Sequence, residues 1–263
     1  MSPLSSLSNS NEARSLVGLL FDLDDTVLTE GVLTQAAYDA LWELHRGGLR
    51  LVAVTGRPSG WGEILVRQWP IDGAVCENGA VHVLRKGNGV LVREACSAEE
   101  RAHRRAKLAA IILRLGEVVP EAKLTDDVKM RRSDVTWDIG ENEQLSSGTV
   151  DRLAAEIQRG GARTTRSSVH IHATFDTDDK ASGAMQFLAE VFAEDVGRAV
   201  HRYAFIGDSG NDASCFSAFH TTFGVANVRS ALRRLSVPPR FVASLPMGAG
   251  FAEVAAKLLA LHR

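Results

Sequence analysis

The stretch SLVGLLFDLDDT at residues 15–26 decides the fold, because a short apolar run ends there abruptly in acids. Apolar runs that do not alternate are typical of parallel strands buried on both faces of a sheet. The acids at the end of this run, Asp22, Asp24 and Asp25, are costly to bury unless they bind a cation or share protons. Ligands of open α/β sheets bind at this edge. The stretch therefore predicts a site in which Asp22 and Asp24 face one crevice.

Three further apolar runs end in a similar way. They lie at residues 49–54 before Thr55, at residues 203–206 before Gly207, and at residues 222–226 before Asn227. Segments with a helical pattern separate the runs, at residues 34–46, 62–69, 180–192 and 211–219. This alternation predicts an α/β fold with a Rossmann-like parallel-sheet core and helices on both faces.

The middle of the chain has a different pattern. Residues 82–94 are typical of a hairpin that turns at the sequence GNG. Residues 129–139 and 167–175 alternate like strands with one exposed face, and residues 98–115 and 150–159 are typical of helices. An antiparallel α+β module inserted into a parallel domain explains this change of pattern.

These patterns predict two domains and a tail. The core domain consists of residues 15–82 and 176–263, and the inserted α+β cap domain of residues 83–175. Residues 1–14, which are rich in Ser and Asn, are predicted to form a disordered tail.

Composition narrows the class of protein. Of 263 residues, 45% are hydrophobic and 24% are charged, as is ordinary for a soluble globular protein. The formal net charge of −2 does not indicate a nucleic-acid partner, and no apolar stretch approaches the roughly 20 residues of a membrane helix. The N-terminal segment lacks the apolar core of a signal peptide, and the three cysteines are scattered. We therefore predict a cytoplasmic protein with neither a nucleic-acid nor a membrane partner.

A second acidic cluster, GDSGND at residues 207–212, also follows an apolar run. It adds Asp208 and Asp212 to the same edge of the sheet, so the two clusters can share one ion. Carboxylate ligands combined with water and a phosphate oxygen suit Mg²⁺.

Two other interpretations of the acidic clusters fail on single residues. A calcium loop of the EF-hand type needs an acid or Asn where Thr26 stands and a glycine where Val27 stands. A serine nucleophile at Ser209 is disfavoured because Asn211 replaces the last glycine of the G-x-S-x-G motif.

Two further segments indicate a phosphate site only in combination with the acidic clusters. Thr55 and Gly56 end a strand, where a hydroxyl and a backbone N–H can hold a phosphate oxygen, although such a pair is more often a simple turn. Lys180 begins a predicted helix, and an isolated lysine is usually a surface charge.

Taken in chain order, these segments resemble the four motifs of the haloacid dehalogenase (HAD) superfamily. The motifs are residues 22–26 (DLDDT), residues 55–58 (TGRP), Lys180 and residues 207–212 (GDSGND). Within this superfamily, the chain resembles phosphatases with a large α/β cap between the second and third motifs. These include the Cof-type sugar-phosphate phosphatases, the sucrose- and trehalose-phosphate phosphatases, and mannosyl-3-phosphoglycerate phosphatase. The sequences ENG at residues 77–79 and GVAN at residues 224–227 resemble further landmarks of that group.

The resemblance implies a Mg²⁺-dependent phosphatase that acts on a small phosphate ester of the sugar-phosphate class. It implies that Asp22 attacks phosphorus to form an aspartyl-phosphate, and that Asp24 acts as acid and then as base. The implied metal ligands are the Asp22 carboxylate, the Asp24 backbone carbonyl and Asp208, with Asp212 in support. The implied phosphate-binding residues are Thr55, Gly56, Lys180 and Asn211.

The two strands of the predicted cap each carry one polar face. We hypothesise that Arg131 or Arg132, together with His170 or His172, recognises the leaving group. A solvated sheet face is the alternative interpretation. A zinc site at His170 and His172 is disfavoured because the sequence offers no third ligand.

Two alternative functions stay open. A phosphomutase of related architecture is disfavoured by the TGRP sequence at residues 55–58. A catalytically silent binding module is disfavoured because the acidic residues and Lys180 are all retained. The sequence contains no indication of the oligomeric state.

Overall fold

The structure, a computed structural model, describes residues 1–7, 14–167 and 169–262, which form a large sheet, a three-stranded sheet and a small two-stranded sheet. The strands in chain order are β1 (Ser2–Pro3), β2 (Gly18–Phe21), β3 (Leu28–Thr29), β4 (Val32–Leu33), β5 (Arg50–Val54), β6 (Gly73–Cys76), β7 (Val81–Lys86), β8 (Gly89–Glu94), β9 (Asp134–Asp138), β10 (Arg163–Arg166), β11 (His170–Thr174), β12 (Tyr203–Gly207), β13 (Thr221–Gly224) and β14 (Phe241–Val242).

The helices lie between these strands and after them. They are α1 (Gln35–Arg46), α2 (Ser59–Gln68), α3 (Ala98–Val118), α4 (Ser147–Arg159), α5 (Lys180–Phe192), α6 (Val196–Arg202), α7 (Ala213–Ala218), α8 (Val228–Ala231) and α9 (Met247–His262). Among the described residues, no helix is long and apolar enough to cross a membrane.

The large sheet is mostly parallel. Within the described residues it has nine strands, in the order β1-β14-β13-β12-β2-β5-β6-β7-β8. The pairs from β1 to β6 are parallel, whereas β7 and β8 add antiparallel strands at one edge. Because β2 lies between β12 and β5, the residues that follow these strands, Asp22, Asp208 and Thr55, emerge side by side.

Helices cover both faces of this sheet, as predicted. Side chains alternate along a strand, so Leu19 and Phe21 of β2 pack on one face against α1, α2 and α9. Leu20 packs on the opposite face against α5, α6 and α7. The predicted α/β fold with a Rossmann-like parallel-sheet core is therefore confirmed.

The hairpin at residues 82–94 forms as predicted, but it belongs to the large sheet and not to the cap. The prediction that the inserted domain begins at residue 83 is therefore corrected. Val81 and Val83 of β7 pack into the same apolar cluster as α2, and this burial keeps the hairpin on the core. A separate sheet begins only after Glu94.

The predicted disordered tail is wrong for residues 1–7. Ser2 and Pro3 pair in parallel with Phe241 and Val242 of β14, and the side chains of Leu4 and Leu7 are buried in the main apolar cluster. Burial of these two leucines holds the segment against the core, which the Ser- and Asn-rich composition does not indicate. Residues 8–13 of the predicted tail lie outside the described residues.

The cap is a three-stranded antiparallel sheet in the order β10-β11-β9, covered on one side by α3 and α4. Val135 and Trp137 of β9 and Ile171 and Ala173 of β11 face these helices and are buried. The alternate side chains are polar and face the carboxyl edge of the large sheet. The predicted division of both strands into an apolar and a polar face is therefore confirmed.

Gly183 sets how closely α5 approaches the turn that follows β6. We expect Gly183→Ala to lower the free energy of unfolding by about 2 kcal/mol, because a Cβ there would lie 2.3 Å from the Cα of Gly79 and the backbone would have to move. Gly116→Ala in α3 is the matched control: a Cβ there meets nothing within 4 Å, and alanine is the better helix former by about 1 kcal/mol. Urea unfolding measures both variants, and equal stabilities would contradict this contact.

Candidate active site

Asp22 stands where β2 ends. Its backbone N–H donates to the carbonyl of Ile206 at 3.0 Å, so the chain is still held to β12 at this point. The carboxylate is buried, and its Oδ1 lies 2.7 Å from Nζ of Lys180. Lys180 is the first residue of α5, whose start is capped by the Asp179 side chain. Burial and ion pairing thus make Lys180 part of the site that the sequence predicts.

Lys180 also contacts Asp212, so that one ammonium joins two carboxylates. Its Nζ lies 2.7 Å from Oδ1 of Asp212. Burial opposes the charged form of the amine, but Asp212 and Asp22 outweigh it, and the pKa of Lys180 is raised. Lys180 is therefore held as a cation.

Asp212 uses both of its carboxylate oxygens within the protein. Its Oδ2 accepts hydrogen bonds from the backbone N–H groups of Asp208 at 2.9 Å and Ser209 at 3.0 Å, while Oδ1 faces Lys180. A Cβ on Gly207 would lie 2.5 Å from Asp212 Oδ2. Only a glycine at position 207 lets this carboxylate sit so close to the strand end.

Asp208 is oriented by two residues to which the sequence assigns no role. Thr26 Oγ1 donates to its Oδ1 at 3.3 Å, and Asn227 Nδ2 donates to its Oδ2 at 2.9 Å. The same Asn227 amide reaches the backbone carbonyl of Asp25 at 3.0 Å. The GVAN sequence marked Asn227 as a landmark, but only the tertiary structure shows its partners.

Three buried carboxylates, those of Asp22, Asp208 and Asp212, share this space. One oxygen from each lies within 4.8 Å of the others, so the group could hold a metal ion. Burial and the charge of Asp212 raise the pKa of Asp22 to about 8, and burial with the same neighbour raises the pKa of Asp208 well above its usual range. One lysine cannot neutralise three carboxylates, and hard oxygen donors of this kind fit a divalent cation such as Mg²⁺.

The carboxylate of Asp24 points away from this triad and toward Arg57. Nε of Arg57 lies 2.9 Å from Asp24 Oδ2, and Nη2 lies 2.8 Å from Oδ1. Arg57 also contacts Glu141 of the cap, with Nη2 2.6 Å from Oε1, and its guanidinium lies over the ring of Trp61. The sequence predicts Asp24 but not Glu141, since nothing in the local pattern sets that acid apart.

Thr55 and Gly56 form a turn that is held from several sides. The Arg57 N–H donates to Thr55 Oγ1 at 3.0 Å, and the Asn78 N–H donates to the Thr55 carbonyl at 3.0 Å. The side chain of Asn78 accepts from Asn211 Nδ2 at 3.1 Å. The predicted phosphate-binding residues Thr55, Gly56 and Asn211 are thus brought together through Asn78.

Arg131 and Arg132 of the cap have different positions. Arg131 is buried: its Nη1 donates to the Gly56 carbonyl at 2.9 Å, and its guanidinium pairs with Asp127 and Asp134. The side chain of Arg132 is 45% exposed, lies near Glu63 and Glu94, and lines neither of the clefts at the catalytic edge. The structure therefore brings Arg131 to the site but not Arg132.

Both predicted cap histidines face the site. His170 Nε2 lies 2.7 Å from Glu141 Oε2, and His172 Nδ1 lies 2.7 Å from Asp134 Oδ2. The His172 ring packs so closely on Gly56 that a Cβ there would lie 3.1 Å from its Cε1. The two histidines therefore have separate carboxylate partners.

Two clefts open between the cap and the core. One, of about 330 Å³, is lined by residues that include Thr165, Arg166, Asp208 and Asn211. The other, of about 390 Å³, is lined by residues that include Asp24, Arg57 and Glu141. A small ligand can therefore reach the polar face of the cap sheet and the strand ends together.

The acidic triad predicts an unusual dependence of stability on pH. Because the pKa of Asp22 is raised from 3.8 to about 8, the folded state binds this proton more tightly than the unfolded chain does. The resulting stability is present below about pH 4 and is lost as the pH rises toward about 8. Without divalent cations, we expect the Tm to fall between about pH 5 and about pH 8.

The variant Asp208→Asn isolates this effect, because it removes one of the coupled carboxylates. Its Tm should fall less over the same pH range, and a divalent cation should raise the Tm of the wild type more than that of the variant. Parallel pH profiles of wild type and variant, measured by thermal unfolding in EDTA, would contradict the coupling.

A family model described as haloacid dehalogenase-like hydrolase matches residues 19–106. No curated protein sequence matches the chain. Solved structures with the same fold include a Thermoplasma acidophilum protein with 17% identity and a TM-score of 0.69, where the match covers 92% of this chain and 98% of that chain.

Two other solved structures are phosphatases. One, from Bacteroides thetaiotaomicron, is described among phosphatases of the HAD superfamily; it has 20% identity, a TM-score of 0.63, and coverage of 98% of this chain and 99% of that chain. The other is the sucrose-phosphatase of Synechocystis, with 18% identity, a TM-score of 0.62, and coverage of 93% and 98%. At these identities the likeness shows the fold alone. Residues 19–106 are therefore similar to haloacid dehalogenase-like hydrolases, and the chain has the same fold as phosphatases described in that superfamily.

Proposed function

We propose that the protein is a Mg²⁺-dependent phosphomonoesterase that hydrolyses a small sugar phosphate through an aspartyl-phosphate on Asp22. The observation that carries this proposal is the buried Lys180 ammonium, 2.7 Å from both Asp22 and Asp212, beside the carboxylate of Asp208. The family match over residues 19–106 and the phosphatases of the same fold support it.

In the first half-reaction, a carboxylate oxygen of Asp22 bonds to phosphorus and the ester P–O bond breaks. The leaving oxygen takes the proton of the Asp24 carboxyl group, so that an alcohol departs. Asp22 must be ionised to attack, although burial favours its protonated form. Lys180, which contacts Asp22, supplies positive charge that favours the ionised form.

In the second half-reaction, Asp24 is ionised and removes a proton from a water molecule. The water oxygen bonds to phosphorus while the bond to Asp22 breaks, which releases inorganic phosphate and restores the Asp22 carboxylate. Arg57, which contacts both oxygens of Asp24, fixes the direction in which this carboxylate points. The position of a general base matters as much as its basicity.

The metal would be held by the Asp22 and Asp208 carboxylates and by the backbone carbonyl of Asp24. Asp212 is better suited to support, because both of its oxygens are used by Lys180 and by two backbone N–H groups. When bound, Mg²⁺ would neutralise the charge that accumulates between the phosphate and the acidic triad.

The transferring phosphoryl group would be held by Thr55, Gly56, Lys180 and Asn211. Thr55 and Gly56 lie in the turn after β5, Lys180 begins α5, and Asn211 lies within the turn before α7. Positioning and charge neutralisation are the main demands of phosphoryl transfer, and this set supplies both.

The nucleophile is tested by Asp22→Asn, which keeps the shape of the side chain but removes its charge. We expect phosphate release from sugar phosphates and p-nitrophenyl phosphate to fall by about a thousandfold or more, and EDTA to abolish release by the wild type. Asp39→Asn, at an exposed position of α1, is the matched control and should be fully active. Retained activity in Asp22→Asn would contradict the proposal, and no release from any ester would favour a mutase or a binding module.

The orienting role of Arg57 is tested by Arg57→Ala. Loss of its two contacts to Asp24 should lower kcat by about tenfold to a hundredfold, because the acid and base would be misplaced. Arg67→Ala, at an exposed position of α2, is the control. Steady-state kinetics with p-nitrophenyl phosphate distinguish the outcomes, since an unchanged kcat in Arg57→Ala would exclude the role.

A further inference from the structure

Two buried polar atoms that face the site have no hydrogen-bond partner. Among the described residues, the buried side-chain atoms without a partner include His172 Nε2 and Thr165 Oγ1. Thr165 of β10 and His172 of β11 are directly opposite in the antiparallel pair, so their side chains share one face of the cap sheet. Buried polar atoms are rarely left unpaired without a reason.

The shared face is the one that meets the core. His172 Nε2 lies 3.2 Å from the position that a Cβ on Gly56 would occupy, and Thr165 lines the cleft that also contains Asp208 and Asn211. Thr164, the next residue along β10, pairs with Ala173 on the opposite face of the sheet. Its hydroxyl is also buried and unpaired, but it lies on the side of the cap interior.

The hydrogen bond at Nδ1 decides what His172 Nε2 can bind. Burial raises the pKa of Asp134, but Arg131 and His172 outweigh it and bring it to about 2. The ionised Asp134 can only accept, so Nδ1 of His172 carries the hydrogen. Burial also lowers the pKa of His172, which keeps the ring neutral. Nε2 is then an acceptor that needs a donor from outside the protein.

A hydroxyl group matches the hydrogen-bonding chemistry of both atoms. It can donate its hydrogen to His172 Nε2 and accept one from Thr165 Oγ1. A carboxylate or a second phosphate has no hydrogen to donate to Nε2 when ionised. The charges of the clefts also favour an uncharged leaving group. The arginines that line the two clefts, Arg57 and Arg166, are already paired with carboxylates.

We propose that His172 Nε2 and Thr165 Oγ1 bind a hydroxyl of the leaving group, and so select uncharged, hydroxylated phosphate esters. The inference rests on the proposed phosphatase function. Because His172 packs on Gly56 of the proposed phosphate-binding turn, the hydroxyl lies near the ester, and a hydroxyl on the neighbouring carbon is the nearest candidate. Both atoms are shielded from water, so the substrate enters before the cap reaches this position.

Two esters that differ by one hydroxyl group test the subsite: glycerol 1-phosphate, which has a hydroxyl on the neighbouring carbon, and propan-1,3-diol monophosphate, which lacks it. We expect kcat/KM of the wild type to be roughly tenfold higher for the glycerol ester. Thr165→Val should remove most of this preference, by lowering kcat/KM for the glycerol ester alone. Thr165→Ser, which keeps the hydroxyl, should retain it.

His172→Asn tests the second atom of the subsite. The amide of asparagine can still donate to Asp134 in place of Nδ1, but nothing replaces the acceptor at Nε2. The preference for the glycerol ester should therefore fall as it does in Thr165→Val. Thr164→Val is the matched control, with the same substitution on the opposite face, and should keep the wild-type preference.

A stability measurement separates a ligand-binding hydroxyl from a structural one. Replacing an unpaired buried hydroxyl with a methyl group does not remove a hydrogen bond, so the Tm of Thr165→Val without substrate should equal or exceed that of the wild type. A large fall in Tm would show that the hydroxyl is structural and would overturn the proposal.

The kinetic outcomes distinguish a failure of the proposed subsite from a failure of the proposed phosphatase function. Equal losses on both esters, or an unchanged preference in Thr165→Val, would overturn the subsite while leaving the phosphatase intact. A wild-type preference for a phosphoglycerate over the glycerol ester that persists in Thr165→Val would also overturn it, in favour of an anionic leaving group near Arg166. Failure of the wild type to release phosphate from any of these esters, from the sugar phosphates or from p-nitrophenyl phosphate would overturn both proposals.

Discussion

The contact on which the rest of the site depends is the buried Lys180 ammonium between Asp22 and Asp212. A buried charge is tolerated only when partners surround it, and loss of one partner typically costs about 3–5 kcal/mol. Gly183 lets α5 approach the turn after β6, and Gly207 lets Asp212 approach the strand end. The backbone is therefore arranged so that two acids that lie far apart in the chain, but follow adjacent strands of the sheet, meet one amine.

The same site leaves more negative charge than Lys180 neutralises. With Asp22, Asp208 and Asp212 together in the protein interior, at least one carboxylate is held in an unfavourable environment. The free energy of unfolding is therefore lower than it would be with neutral residues at these three positions. Such a cluster is expected where binding of a cation and a phosphate, and not folding, selects the residues.

Several buried polar groups join the cap to the core. Glu77, whose backbone is left-handed with φ 53°, accepts hydrogen bonds from the N–H groups of Ser59 in the core and Ser133 in the cap. Arg131 reaches the Gly56 carbonyl, and Arg57 reaches Glu141. Each of these contacts involves the turn after β5 or the adjacent turn after β6. The position of the cap is therefore coupled to the geometry of the proposed phosphate site.

The sequence by itself determined the core and its acids, because apolar runs that end in Asp22, Thr55 and Asp208 become adjacent strand ends in any parallel sheet of this type. It did not determine that residues 82–94 extend the large sheet, since their alternation suits either sheet. Nor did it single out Glu141 or Thr165, because the surroundings of both residues form only where the cap meets the core. Local patterns record which face of a strand is polar, whereas the partner of that face depends on contacts between residues far apart in the chain.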